Sequence, residues 1–362
     1  MLEKKSLETS NFYSPRFEVE IDEEKLPEDA AHSILDITVE EKINEGADFQ
    51  ITVNDEFDLT TQEFKWLDHS LFNVGNTIKI KMGYENDLLD MLTGKITSLE
   101  PSFFSGETPT LIVKGYDPSY DYFKKPSPEK QFVDMKYSDI VRSIASDAKL
   151  DPVIDTTEKY ETPITKTNRE TYYVFLEKLA NKVGYQLKID NKTLYFTKYE
   201  DDADAILTLE LGKDIISFKP SIRTTGLITE VEVRGHNPQD PSKPFVGTAK
   251  AGDERKQESG KKTGSQIAEE YYGTVKKIVS SVNVNSEEHA KMIAQSKLNK
   301  DSDNLIEGDV QCIGMPVIRA GVNITIEKVG KRFSGKYYVK STTHTINNSG
   351  YLTRFSVKRN AL

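Results

Sequence analysis

The sequence predicts an α+β fold, mainly β, in which two antiparallel β modules share one chain with an α/β domain. Three observations predict it. Apolar residues alternate with period two in the first third and again from about residue 206. The period turns helical between about 137 and 197. A common set of turn motifs punctuates both β blocks. At 362 residues the chain exceeds what one hydrophobic core sustains, so more than one domain is expected.

In the first block Phe17, Val19 and Ile21 alternate with Glu18, Glu20 and Asp22. Leu35, Ile37 and Val39, then Phe49, Ile51 and Val53, then Ile78, Ile80 and Met82 follow the same rule, which places every apolar side chain on one face of a pleated strand. Turns at Asn44-Glu45-Gly46, Gly75-Asn76 and Ser105-Gly106 suggest a small antiparallel sandwich or barrel, closing around Gly115-Tyr116-Asp117-Pro118. Lys124-Lys125-Pro126-Ser127-Pro128 reads as a linker.

Helical spacing then sets in. Ser138 is a candidate N-cap for Ile140, Val141, Ile144, Ala145 and Ala148. A second helix, expected from near Asn168, carries Tyr172, Phe175, Leu176, Leu179 and Val183 and stops at Gly184. Leu187 and Ile189 mirror Leu194 and Phe196 across Asp190-Asn191, a hairpin. Leu207, Leu209 and Leu211, and Thr229, Val231 and Val233, return to strand spacing. Gly235 to Gly264 reads as a long exposed loop, and Asn285 with Glu288 as the capping box of a helix bearing Ala290, Ile293, Ala294 and Leu298. The last fifty residues are strands. The expected domains are 1–122 for the first β module, 123–205 with 236–308 for the α/β domain, and 206–235 with 309–362 for the second β module.

Charge and cysteine content narrow the function. A net charge of −10 argues against specific nucleic-acid binding, which needs concentrated Lys and Arg. Acidity serves solubility, or lines a channel through which an anionic cargo slides. The single Cys312 cannot form a disulfide within its own chain and has no neighbour at metal spacing. The start, Met1 to Glu8, has no signal-peptide run, and no stretch has the length of a membrane span. Synthesis and assembly in the bacterial cytoplasm are expected, with no membrane insertion of the chain's own.

The two β blocks share their punctuation. Gly75-Asn76-Thr77-Ile78-Lys79-Ile80 matches Gly321-Val322-Asn323-Ile324-Thr325-Ile326, Gly94-Lys95-Ile96 echoes Gly335-Lys336-Tyr337, and Thr110 to Lys114 echoes Thr353 to Lys358. Each match alone is what any two small barrels share; the common order points to a duplicated module. Two such modules per chain let three chains present six similar units in a closed ring.

Several stretches resemble the late control protein D family, which includes phage tail hubs and the hub portion of VgrG spikes. Gly46 to Val53, Leu92 to Ile96 and Val113 to Asp117 are similar to the strands of its first barrel. Asn168 to Tyr185 resembles its Phe-Leu, Leu-Ala, Gly helix, Ile228 to Pro238 its return into the second barrel, and Gly335 to Val339 with Thr343 to Ile346 its closing strands. The resemblance implies the fold of the T-even phage hub: two tube-like β-barrels in a pseudo-sixfold ring, with α/β domains outside. It further implies a homotrimer in a contractile phage tail or injection system. The implied partners are a tail tube protein, baseplate wedge proteins and a separate trimeric spike protein, since the chain stops at Leu362. The destination is then the baseplate of a virion or injection particle.

No enzyme is expected, and no catalytic, cofactor-binding or metal-binding residue is assigned. His32, His69, His236, His289 and His344 are scattered without ligand spacing. Ser259-Gly260-Lys261-Lys262-Thr263 lacks the P-loop's first Gly and its Ser or Thr after Gly-Lys. Glu200 to Asp204 has no EF-hand spacing. Lys250 to Lys262 with Arg255 is a basic loop that is solvated or touches DNA or a partner's acidic face, and Trp66 is an interface anchor or a packed core residue. The alternatives to a hub are a tail-tip or adhesin protein of a non-contractile tail, and a tail-associated peptidoglycan hydrolase.

Overall fold

The structure, a computed structural model, describes every residue except 1–13, 44, 86, 118–121, 161, 162, 191, 200–202, 238, 241, 259, 281 and 304. The chain start, Glu200 to Asp202 and single residues of the turn motifs therefore lie outside the described residues.

The alternating first third forms strands. These are β1 (Pro15–Ile21), β2 (Glu24–Lys25), β3 (Ile34–Lys42) after the short helix α1 (Glu28–His32), β4 (Asp48–Asn54), the hairpin β5 (Phe57–Asp58) and β6 (Glu63–Phe64), β7 (Thr77–Tyr84), β8 (Asp87–Ser102) and β9 (Thr110–Tyr116). Ile37, Val39, Ile51, Ile78, Ile80 and Val113 are buried together in one core, as period two demands.

The middle is α/β: β10 (Lys130–Phe132), α2 (Tyr137–Asp147), β11 (Asp151–Ile154), β12 (Ile164–Lys166), α3 (Tyr172–Val183), β13 (Tyr185–Asp190) and β14 (Thr193–Lys198). Helix starts differ from the sequence expectation. Ser138 lies inside α2, where its backbone N–H donates to Thr157 Oγ1, and Lys136 precedes the helix. α3 starts at Tyr172 rather than near Asn168, because the Thr171 hydroxyl accepts from the Val174 N–H. Gly184 does close α3, at φ 71°.

The remainder comprises β15 (Thr208–Glu210), β16 (Ile215–Ile222), β17 (Glu230–Gly235), β18 (Phe245–Lys250), α4 (Gly264–Tyr272), β19 (Lys276–Val279), α5 (Glu287–Ser302), β20 (Ile306–Ile313), β21 (Asn323–Glu327), β22 (Gly335–Asn347) and β23 (Gly350–Arg359). Two expectations need correction. β17, expected in the second β module, pairs with β18 and β19, and its inner face, Val231 and Val233, packs on Ala290, Ile293 and Ala294 of α5. The long loop expected from Gly235 to Gly264 contains β18 and ends in a capping box at Thr263 and Gln266. α5 is capped by Ser286, one residue beyond Asn285, whose side chain meets His289 instead.

Thirteen strands form one sheet in the order β16-β20-β23-β22-β3-β4-β9-β8-β7-β1-β2, with β21 beside β22 and β15 beside β21. The order conceals a repeat: β7-β8-β9-β4-β3 and β21-β22-β23-β20-β16 are paired alike, each pair antiparallel. Registers agree as well as order. Thr77 faces Lys95 as Asn323 faces Tyr338, Ile96 faces Gly115 as Val339 faces Val357, and Ile34 faces Val53 as Ile215 faces Cys312. Bulges fall at the same levels, between Ile96 and Ser98 and between Val339 and Ser341, and again between Ile34 and Asp36 and between Ile215 and Ser217. Gly75 and Gly321 turn into the first strand of each set at φ 99° and 93°, where any side chain is strained. The register aligns Gly335 with Leu92 rather than Gly94, a two-residue offset that keeps the same face. The sets differ at their margins: β1 joins β7 antiparallel, whereas β15 joins β21 parallel.

Candidate assembly interface

The two strand sets meet inside the chain where β3 and β22 pair antiparallel from Lys42↔Ser341 to Asp36↔Asn347. On its outer face Thr38 Oγ1 lies 3.1 Å from Thr345 Oγ1, and Thr343 Oγ1 donates to Glu40 Oε1 at 3.2 Å. On its inner face His344, opposite Val39, is fully buried. Its Nε2 donates to the Ile318 carbonyl at 2.9 Å, and its Nδ1 faces the hydroxyls of Tyr351 and Thr353 at 3.0 and 3.1 Å. Burial, and then the nearby Arg319 charge, pushes the imidazole down to about 3, so His344 is a neutral packing group.

Arg319, in the segment after β20, locks this seam. Its Nε donates to Glu41 Oε2 at 2.8 Å and its Nη2 pairs with Glu41 Oε1. Nη1 donates to the Asp90 carbonyl at 3.0 Å and Nη2 to the Met91 carbonyl at 2.8 Å, while Asp190 of the α/β region stands 3.6 Å away. Tyr84 adds a hydrogen bond to the Gly314 carbonyl at 3.0 Å. Sequence reasoning missed Arg319. Its only signal was a lone cation in the apolar stretch Met315 to Ala320.

The residues singled out from sequence occupy separate places. His32 and His236 are exposed, and His69 accepts the Leu71 N–H at 3.1 Å. His289 is buried and stacks on Tyr160 with centroids 4.6 Å apart. Cys312 is buried in β20, and burial pushes its thiol up. Trp66 takes the packing alternative, buried edge-on against Phe72. Arg255 pairs with Asp303 at 2.5 Å and lies over the Tyr199 ring, and Lys261 and Lys262 face Glu258 and Glu270. Arg255 lines a cleft of about 240 Å³ with Lys300, Lys340, Lys358, Asp303 and Glu307, in which Asp303 pairs with both Arg255 and Lys358 and Glu307 pairs with Lys340. Among the described residues no three His, Cys, Asp or Glu side chains gather as a metal site, and no helix is long and apolar enough to cross a membrane.

An exposed aromatic cluster lies beyond the end of β8. Phe103 and Phe104 are 55% and 65% exposed just beyond β8. Phe103 packs at 5.0 Å on Phe64, which packs at 4.7 Å on Phe57. Such a patch is what an interaction surface looks like on a single chain.

This mainly β architecture is a phage tail protein fold. A 43 kDa tail protein of prophage MuSo2 from Shewanella oneidensis is similar over 96% of this chain and 98% of its own, with a TM-score of 0.71 at 14% identity. A tail protein from Neisseria meningitidis MC58 is similar over 96% and 97%, with a TM-score of 0.70 at 12% identity. The E. coli c3393 protein, a component of the type VI secretion system, is similar over 91% of this chain and 74% of its own, with a TM-score of 0.56 at 10% identity. No curated protein sequence matches. By sequence, the chain belongs to the Alg8 N-terminal domain family, whose model matches residues 13–348. That match does not extend to the late control protein D family.

Proposed function

We propose that the chain is a non-enzymatic hub of a contractile phage tail or related injection particle. Three copies form a ring with pseudo-sixfold symmetry that adapts a hexameric tail tube to a trimeric spike. The observation that carries this is the repeated strand order with matching registers and bulges: one chain supplies two similar β units, so a threefold assembly offers six. The division into two tube-like modules and an α/β domain belongs to the same proposal, with β17 now counted in the α/β part. The late control protein D resemblance supports it, as do structural neighbours that are tail and secretion components. The ionisable groups near the seam and cleft are held in structural pairs, which favours a scaffold over a hydrolase. Partners in this reading are the tube protein, a separate spike and wedge proteins, met in the bacterial cytoplasm before incorporation into the baseplate. Light scattering of the full chain tests it: a three-chain particle is expected, with six lobes in electron micrographs. A monomer that stays monomeric beside its tube and spike partners overturns it.

A further inference from the structure

A run of lysines without carboxylate partners leads into the cleft that Arg255 lines. Lys297 and Lys300 stand three residues apart on α5 and therefore on one side of the helix. Lys277 on β19 shares a strand face with Val279, which packs on the apolar core beneath α5, so the strand turns Lys277 toward that helix. The three charges act on one another. Burial, and then the charges of Lys277 and Lys300, hold the Lys297 ammonium below its ordinary proton affinity. Among the described residues none of the three forms an ion pair, whereas their neighbours do. Lys276 is held by Glu230 and Glu232 at 2.8 and 2.5 Å, and within the cleft Arg255, Lys340 and Lys358 have Asp303 or Glu307. Lys300, which lines the same cleft, meets the neutral Asn181 amide oxygen at 3.3 Å.

We propose that this run is a docking site for an extended acidic segment of a partner protein, which passes over Lys277 and Lys297 and sets a carboxylate against Lys300 at the mouth of the cleft. Charge fixes the sign of the occupant. Lysines crowded on a partly buried surface repel one another until an anion lies between them, and here they do so in a chain of net charge −10. Two further features favour a peptide. Val275 and Ile278, on either side of Lys276 and Lys277, are 39% and 53% exposed, and among the described residues no strand lies along the outer edge of β19. Apolar side chains of the partner thus have a seat beside the charges. The cleft also offers acceptors, the Asn181 amide oxygen with Asp303 and Glu307, which peptide N–H groups can use and phosphate oxygens cannot. Nucleic acid binds through a broad concentration of cations, which three lysines do not supply.

The site lies on a single chain and does not depend on the ring, so the failure of either leaves the other in place. The test is fluorescence anisotropy of a labelled peptide of alternating glutamate and leucine mixed with the full chain. Saturable binding that weakens with added salt is expected. Lys277→Gln, Lys297→Gln and Lys300→Gln together should weaken it on the order of tenfold, as three exposed ion pairs contribute in sum. Lys277 and Lys300 are exposed, so the double variant that spares Lys297 keeps the fold and should show most of the loss. Neutralising exposed lysines elsewhere, with Lys149→Gln, Lys192→Gln and Lys331→Gln, should leave binding unchanged. The proposal is overturned if the acidic peptide does not bind, if a peptide of alternating glutamine and leucine binds as well, or if the site variants show no loss. Equal or tighter binding of a single-stranded oligonucleotide or of inorganic pyrophosphate at the same lysines overturns it too, since the run is then a general anion site.

Discussion

At the scale of the residue, His344 shows how burial replaces chemistry with packing. A histidine with both ring nitrogens engaged and no solvent is kept neutral in the folded chain to about pH 3, whereas in the unfolded chain it takes up a proton near its ordinary value of about 6.5. The folded value is depressed, so the unfolded state binds the extra proton as pH falls and stability is lost between about 6.5 and 3. Asp48 acts in the opposite sense. Burial and the facing Glu40 push it up to about 6, so the fold loses stability as pH rises through the carboxylate range. Comparing His344→Gln with the parent isolates the histidine. Urea unfolding at several pH values should show a shallower loss between pH 6.5 and 3 in the variant, and parallel curves would contradict this account.

At the scale of the element, the two strand sets keep register while exchanging volume. Phe49 on β4 faces Gly115 on β9, and at the equivalent level Gly308 on β20 faces Val357 on β23. Large against small in one set becomes small against large in the other, so at this level each set places one apolar side chain against a glycine. The two glycines nevertheless differ in tolerance. A Cβ on Gly115 would stand 1.9 Å from the Lys95 carbonyl, which is main chain and cannot move aside. A Cβ on Gly308 meets first the far end of the Phe218 ring, at 2.8 Å. Gly115→Ala should therefore cost at or beyond the upper end of the ~1–3 kcal/mol typical of overpacking, and Gly308→Ala less. Thermal melts of the two variants check the ranking.

At the scale of the whole molecule, Arg319 is the residue through which the halves act as one. It reaches β3 through Glu41 and β8 through two carbonyls, from a segment that belongs to the second half. Removing it leaves the Glu41 carboxylate buried without its cation, which costs about 3–5 kcal/mol in comparable buried pairs. Arg319→Met should lower the free energy of chemical unfolding by about that amount, and Glu41→Gln in the same background should recover part of it. Recovery identifies the stranded charge as the cause; a full loss with no recovery would locate the effect in packing alone. In the proposed hub, such a tie would hold the two β units at a fixed angle and so preserve the proposed pseudo-sixfold form of the ring.

Much of this was legible in the sequence, for a physical reason. Period-two and period-3.6 patterns record which side of a strand or helix faces a core, so the strands of Phe17 to Met82, the helix ending at Gly184 and the β character of the last fifty residues could be read directly. Gly75 and Gly321 were readable because few other residues tolerate their backbone angles. Helix starts were not, since Thr171 and Ser286 compete with equally plausible caps nearby. Nor was the placement of β17: its alternating Val231 and Val233 fit any sheet, and only the packing of α5 chose one. Local spacing determined that two similar strand sets exist. Tertiary structure alone decided that β3 and β22 join them and that Arg319 holds the join, because those contacts link residues about 300 positions apart whose pairing leaves no periodic trace.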